Sequence, residues 1–336
     1  MAGNRKVNDP LVLGAVAAGA LIGSALAAIG SWIGYSRLLV NHRKPLPAAI
    51  EAERRTFIST IGGALSYYVS SKPGTRPLVL IHSINAAGSA YEMGPIFEQY
   101  RGTRTVYALD LPGFGFSDRS SRAYSPDLYA RAILDFVEHQ VRSTEPVDVV
   151  ALSLGSEFAA LAALQDPERF RSLALISPTG FGSARGSQRA ARQETSRLFY
   201  ALVSFPLWGQ AFYDLIATPA SIRFFLQQSF QGTIDAGLLS YANLTTHQPG
   251  AKNAPLYFVS GLLFTPDIRT KVYEKLTLPV LVIHDVDNFV TFDSLPELTQ
   301  KCSNWHAVRI APTRGLPQFE KMPETASALD NFWSTL

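Results

Sequence analysis

The chain has 336 residues, with 30 Lys/Arg, 27 Asp/Glu and an apolar fraction of 47%, which excludes a disordered or collagen-like polymer. Its one cysteine, Cys302, excludes a disulfide framework and any cysteine-based zinc or iron–sulfur centre, and the six histidines show no HExxH or paired spacing, so neither metal nor cofactor is expected. Net charge is +3, but residues 1–44 carry five basic side chains against Asp9, whereas residues 45–336 carry 25 basic and 26 acidic ones. The basic balance therefore belongs to the N-terminal segment, and the main domain has no electrostatic footprint for nucleic acid.

Leu11 to Ser36 is 26 residues without a charged side chain. As a helix it spans about 39 Å, enough to cross a hydrocarbon core of ~30 Å with some tilt. Arg5 and Lys6 flank one end, Arg37, Arg43 and Lys44 the other, and Trp32 and Tyr35 sit where interfacial aromatics belong. The expectation is a single-pass membrane anchor over residues 1–44. The excess of basic residues after the span points to a cytoplasmic main domain. A competing reading is a cleaved signal peptide, since Ala25-Leu26-Ala27 resembles a small-residue cleavage site. The apolar run continues to Tyr35, past any sensible cleavage point. Ala15, Gly19, Gly23 and Ala27 recur every fourth residue, and Gly30 with Gly34 repeats the spacing, a stripe that admits a transmembrane partner helix.

From about residue 54, apolar strands alternate with helical stretches. Thr56–Thr60 and Ala64–Ser70 flank Gly62-Gly63, a hairpin signal. Pro77–His82 is a short continuous apolar run, as in a strand buried on both faces, and Thr105–Leu109, Val147–Leu152, Ser172–Ile176, Pro279–His284 and Ala307–Ile310 repeat it. Asp127–Val141, Leu154–Leu164 and Leu295–Cys302 read as helices. The pattern predicts an α/β fold, a mainly parallel sheet flanked by helices. It breaks over residues 182–276, which read as a helical cap inserted over the carboxyl ends of the strands of one domain, 45–336. Leu198 to Gly261 carries only four charges, with aromatics including Phe199, Trp208, Phe212, Phe224 and Phe225. Such a lid suits a dry pocket for an acyl chain or isoprenoid, or a face against bilayer or partner.

The strongest local signal is Val149-Val150-Ala151-Leu152-Ser153-Leu154-Gly155, a strand running directly into a small–x–Ser–x–Gly turn and a helix. Small residues at Ala151 and Gly155 permit the sharp turn that strains Ser153 and exposes its hydroxyl beside a helix N-terminus.

On these residues the chain resembles the α/β-hydrolase superfamily over roughly residues 54–336. His82-Ser83-Ile84-Asn85 looks like the family's oxyanion-loop segment, with Ser83 replacing the usual glycine. Tyr107 through Asp118 (YALDLPGFGFSD) is similar to its D-x-P-G-x-G-x-S segment, read here as a fold-stabilising turn. The resemblance implies an esterase- or lipase-like acyl hydrolase or transferase with Ser153 as nucleophile and Asp287 as acid, Asp285 being the nearby competitor. The backbone N–H groups of Ile84 and Leu154 would be the oxyanion donors, and His82 a loop support. One element departs from the family pattern. Thr313 through Pro323 (TRGLPQFEKMP) is similar to the stretch that carries the triad histidine, and Gly315 stands in its place. No histidine follows His306, and His247 of the cap is the low-ranked substitute. Two functions are therefore expected: a membrane-anchored hydrolase-fold protein acting on or binding a hydrophobic ester- or lipid-like ligand, or a catalytically inactive subunit of a membrane complex.

Overall fold

The computed structural model describes Ser24 and residues 27–141, 145–182 and 189–336. Among them no helix is long and apolar enough to cross a membrane. Most of the predicted span, including Gly19, Gly23 and Ala25-Leu26, lies outside the described residues. Its end is a helix through residue 38, on which a Cβ at Gly30 or Gly34 would meet nothing within 4 Å.

One eight-stranded sheet organises the rest. Its strands are β1 Glu53–Ser59, β2 Gly63–Ser70, β3 Leu78–Ile81, β4 Val106–Leu109, β5 Val147–Leu152, β6 Phe170–Ile176, β7 Val280–His284 and β8 Trp305–Arg309, in the order β1-β2-β4-β3-β5-β6-β7-β8. The sheet is mixed. The predicted hairpin β1–β2 is antiparallel, and β2 joins β4 antiparallel, while every later pairing is parallel. Alternation along β3 shows how the layers form: Val79 and Ile81 enter one apolar cluster, Leu78 and Leu80 the other. The first cluster receives α2 (Pro126–His139) and α3 (Gly155–Gln165), through Phe136 and Phe158. The second receives α1 (Gly94–Tyr100) and a C-terminal helix (Met322–Ser334), through Phe97, Leu329 and Phe332.

Neither of those last two helices is announced by the sequence pattern. Gly94–Tyr100 is two turns long, and Met322–Ser334 buries a mostly small face of Thr325, Ala326 and Ala328 beside Leu329 and Phe332. A narrow stripe of small residues gives little periodic signal.

Between β6 and β7 the described residues hold helices and no strand: α4 Arg189–Val203, α5 Gly209–Ile216, α6 Pro219–Gln228, α7 Ala236–Thr245, α8 Asn253–Val259 and α9 Ile268–Lys271. Polar links bind this cap to the sheet domain. The Arg119 guanidinium donates to Gly115 O at 2.7 Å, Thr245 O at 2.9 Å and Thr245 Oγ1 at 2.8 Å. Glu320 accepts from the backbone N–H groups of Gln231 (2.7 Å) and Gly232 (2.9 Å). Tyr213 Oη donates to Ala86 O at 2.9 Å.

Candidate functional site

Strand β5 ends at Leu152 and α3 begins at Gly155, so two residues make the whole turn. Ser153 has φ +50°, a left-handed conformation that a serine adopts only when its surroundings impose it. Two contacts impose it here. The Ser153 N–H donates to Ile176 O at 2.8 Å, and a Cβ on Gly155 would lie 2.3 Å from His82 O. Only glycine lets the start of α3 come this close to the loop leaving β3. Leu154 caps that helix and Ile84 lies two residues past His82, and both are nearly fully buried. Neither N–H has an acceptor among the described residues, as donors awaiting an incoming oxygen would be.

The loop carrying Ile84 is held from behind. His82 is fully buried; its Nε2 accepts from the Leu111 N–H at 2.9 Å, so Nδ1 carries the proton and donates to Ser83 O at 2.6 Å. Burial pushes its pKa down to about 4, against the weaker upward pull of the Ser83 carbonyl. It is thus a neutral spacer between the two loops. Glu92, which the sequence does not single out, accepts from Ser83 N (2.8 Å), Ser83 Oγ (3.1 Å) and Asn85 Nδ2 (2.8 Å), although burial raises its pKa. Gln318 in turn donates to Glu92 O at 3.1 Å. Asp110 is spent on structure, accepting from the N–H groups of Ala90 at 2.9 Å and Phe116 at 3.0 Å.

His82 makes a sign-definite prediction. Its folded pKa lies below the ordinary 6.5, so between about pH 6.5 and 4 the unfolded chain binds more protons, and stability falls as pH falls through that window. The contribution is on the order of 3 kcal/mol. Burial lifts the carboxyls of Asp110 to about 6 and Glu157 to about 7, and these act the other way. The measurement is therefore the difference in urea-unfolding free energy between the natural chain and His82→Gln, which should shrink steadily from pH 7 to pH 4; a constant difference counts against a buried neutral imidazole.

The two candidate acids separate cleanly. Asp285 is bound to Arg309 Nε at 2.7 Å and accepts the Thr313 N–H at 2.8 Å. Burial works upward on its pKa, and those two partners outweigh it, so the carboxyl ends below the usual range. It fastens the loop after β8 to the end of β7. Asp287 has Oδ1 on the N–H groups of Phe289 (2.7 Å) and Val290 (3.3 Å), and burial raises its pKa. Its Oδ2 points at Gly315, where a Cβ would lie 2.7 Å from it. Gly315 has φ +91°, and the three atoms nearest that Cβ position, its chain neighbours aside, belong to Asp287. Asp287 and Gly315 therefore face each other so closely that a Cβ at 315 requires one of them to shift.

All six histidines are among the described residues, and none hydrogen-bonds to Ser153 or Asp287. His247, in the turn after α7, binds Asn243 O at 2.6 Å and stacks on His42 at 6.5 Å, with burial lowering its pKa. His306 lies on the solvent side of β8, against Phe332. It lines a concavity of about 930 Å³ between β8 and the C-terminal helix, away from Ser153 and Asp287. Among the cap aromatics, Trp208 and Phe212 are half-buried, whereas Phe199, Phe224 and Phe225 are exposed. The deeply buried cap rings are Tyr213, Phe230, Tyr241 and Tyr273.

The family model described as the alpha/beta hydrolase fold matches residues 76–321. The chain belongs to that family. Abhydrolase domain-containing protein abhd-5.2 of Caenorhabditis elegans is 31% identical over 134 residues, 38% of this chain and 29% of the relative. The 1-acylglycerol-3-phosphate O-acyltransferase ABHD5 of Mus musculus is 32% identical over 119 residues, 34% of this chain and 32% of its own length. The chain spans between 29% and 44% of the length of the first three curated relatives it matches. Among solved structures, a serine hydrolase involved in carbazole degradation aligns with a TM-score of 0.66 at 16% identity, over 84% of this chain and all of the other. A membrane phospholipase A described as a bacterial virulence factor aligns at 0.62 and 21% identity, over 97% and 96%. At such identities the likeness concerns the fold.

Proposed function

We propose that this chain is a membrane-anchored member of the hydrolase fold that binds a hydrophobic ester- or lipid-like ligand under its cap, with Ser153 poised as a nucleophile but without a resident base. The carrying observation is the Asp287 carboxylate aimed at Gly315. On this reading Asp287 is the acid of a triad, and the side chain it would orient is absent from position 315. Ile84 and Leu154 would still hold a carbonyl oxygen, and acyl-ester chemistry at Ser153 would run orders of magnitude below that of a complete triad. The anchor is the charge-free run Leu11–Ser36.

A fluorophosphonate probe tests this reading. The full chain should label slowly and only at Ser153, with Ser153→Ala blank and excess acyl ester protecting against labelling. Absence of labelling where a complete serine esterase labels in seconds would sink the poised-nucleophile part. The second reading is an inactive subunit of a membrane complex, joined through the Gly/Ala stripe. Gly315 favours it; stoichiometric co-purifying partners together with unchanged function in Ser153→Ala would establish it.

A further inference from the structure

Among the described residues, six of the large apolar side chains left in solvent sit on elements joined in series by contacts: Ile29 on the N-terminal helix, Leu207, Leu215, Phe224 and Phe225 in the cap, and Phe289, two residues past Asp287. We read them as one strip. Phe224 is 59% exposed, Phe225 52% and Phe289 57%, values far above those of a packed core. An apolar strip of this extent marks an interaction face.

The helix and the cap are fastened to each other. Trp32 Nε1 donates to Ala211 O at 2.8 Å, and Arg37 Nη2 donates to Leu207 O at 2.8 Å. Asp214 of α5 is the clasp. It is 7% exposed and accepts from Ser36 Oγ at 2.6 Å and Gln210 Nε2 at 2.9 Å, with His42 Nε2 also at 2.9 Å. Leu215 follows it directly, and α6 continues with Phe224 and Phe225. The Phe225 ring lies 6.5 Å from that of Phe289, and Asn288 Nδ2 donates to Gln228 O at 2.8 Å. Helix, α5, α6 and the loop carrying Asp287 are thus joined in series by contacts at every step.

The occupant of the strip follows from the chain that leads into it. The N-terminal helix is the end of a charge-free run starting at Leu11, most of which precedes the described residues. Trp32 and Tyr35 stack at 5.4 Å near its end, and Arg37, Arg43 and Lys44 follow, an aromatic-then-basic order that suits a headgroup boundary. The cap from Leu198 to Gly261 has four charges in all, so little opposes its entry into the same zone. We propose that the strip is seated on the bilayer, so that the cap and the loop carrying Asp287 lie at the membrane surface and the site takes its ligand from the membrane rather than from water. This rests on the anchor reading above, and the test separates the two.

The full chain carrying Cys302→Ser and single cysteines at Ile29, Phe225 or Val308 is labelled with an environment-sensitive nitrobenzoxadiazole dye. It is then reconstituted in phosphatidylcholine/phosphatidylglycerol vesicles, with and without brominated acyl chains. Severalfold quenching by bromine is expected at 29 and 225, and none at 308 on the β8 edge. Quenching at 29 with none at 225 overturns the seated cap and leaves the anchor standing; quenching at neither overturns both. Equal quenching at 308 overturns the proposal, because lipid contact is then not confined to the strip. A blue shift at 225 that ignores bromine and grows with protein density assigns the strip to a second copy of the chain, and overturns it as well.

Discussion

The Gly315→His variant is expected to label with fluorophosphonate and to cleave a short activated ester about 10²–10⁴ times faster than the natural chain, the usual contribution of a positioned general base. Millimolar imidazole added to the natural chain should give a smaller gain in the same direction, because position 315 carries no side chain beside Asp287. The gain in Gly315→His should depend on the acid. Asp287→Ala in that background should remove most of it, since an unoriented imidazole is a poor base. The activity gained should rise with pH through about 6.5 as the new imidazole loses its proton. The change also has a structural cost. A Cβ at 315 comes within 2.7 Å of Asp287 Oδ2, and φ is +91°, so the loop must adjust. Left-handed backbone at a non-glycine residue costs ~1–2 kcal/mol, and the variant should be less stable by about that amount in urea. Unchanged labelling in both variants, with the fold intact by circular dichroism, would show that Ser153 lacks more than a base.

The division between what the sequence discloses and what it hides follows from how far apart the cooperating residues lie. The inner parallel strands announce themselves because their residues are buried on both faces, so the apolar run is continuous: Val147–Leu152 is read to the residue, whereas the exposed edge strand β8 is read two residues late. Ser153 is legible for a local reason too, since the strand–turn–helix leaves one geometry and Gly155 must be small for it. Asp287 and Asp285 are two residues apart and identical in type, and the sequence ranks them only through family resemblance. What separates them is distant chemistry, Arg309 and Thr313 on one and Gly315 on the other. Glu92, Asp214 and Glu320 are invisible for the same reason. Each is an unremarkable acidic residue until folding gives it three or more donors, supplied in part from more than 80 residues away for Asp214 and Glu320 and from the turn seven to nine residues upstream for Glu92. The cap aromatics show the opposite limit. Composition marks the lid as greasy, but the outward exposure of Phe199, Phe224 and Phe225 alongside buried Tyr213, Phe230 and Tyr241 depends on helix orientation, which composition does not contain.

Gly155→Ala is expected to cost about 3 kcal/mol or more, and to lower ligand capture at Ser153 beyond what the stability loss explains. The added methyl would sit 2.3 Å from His82 O, a backbone atom with no rotamer to move into. Overpacking against a side chain typically costs ~1–3 kcal/mol because the neighbour can yield. Here yielding means separating the start of α3 from the loop after β3. That loop is pinned by both nitrogens of His82 and by the Glu92 carboxylate, so the displacement propagates to Ile84. With Ile84 and Leu154 as the proposed oxyanion donors, that displacement moves one relative to the other, and two donors misplaced by even ~1 Å lose most of their hold on a tetrahedral oxyanion. Gly94→Ala is the matched control, since a Cβ there meets nothing within 4 Å and its backbone is already helical. At that position alanine should be neutral or stabilising by ~0.4–1 kcal/mol, through the unfolded state. Urea unfolding and fluorophosphonate labelling on both variants separate the cases. If Gly155→Ala is as innocuous as Gly94→Ala in both assays, the close approach to His82 O is not what sets the turn. The strain at Ser153 must then be held by the Ser153 N–H to Ile176 O bond alone.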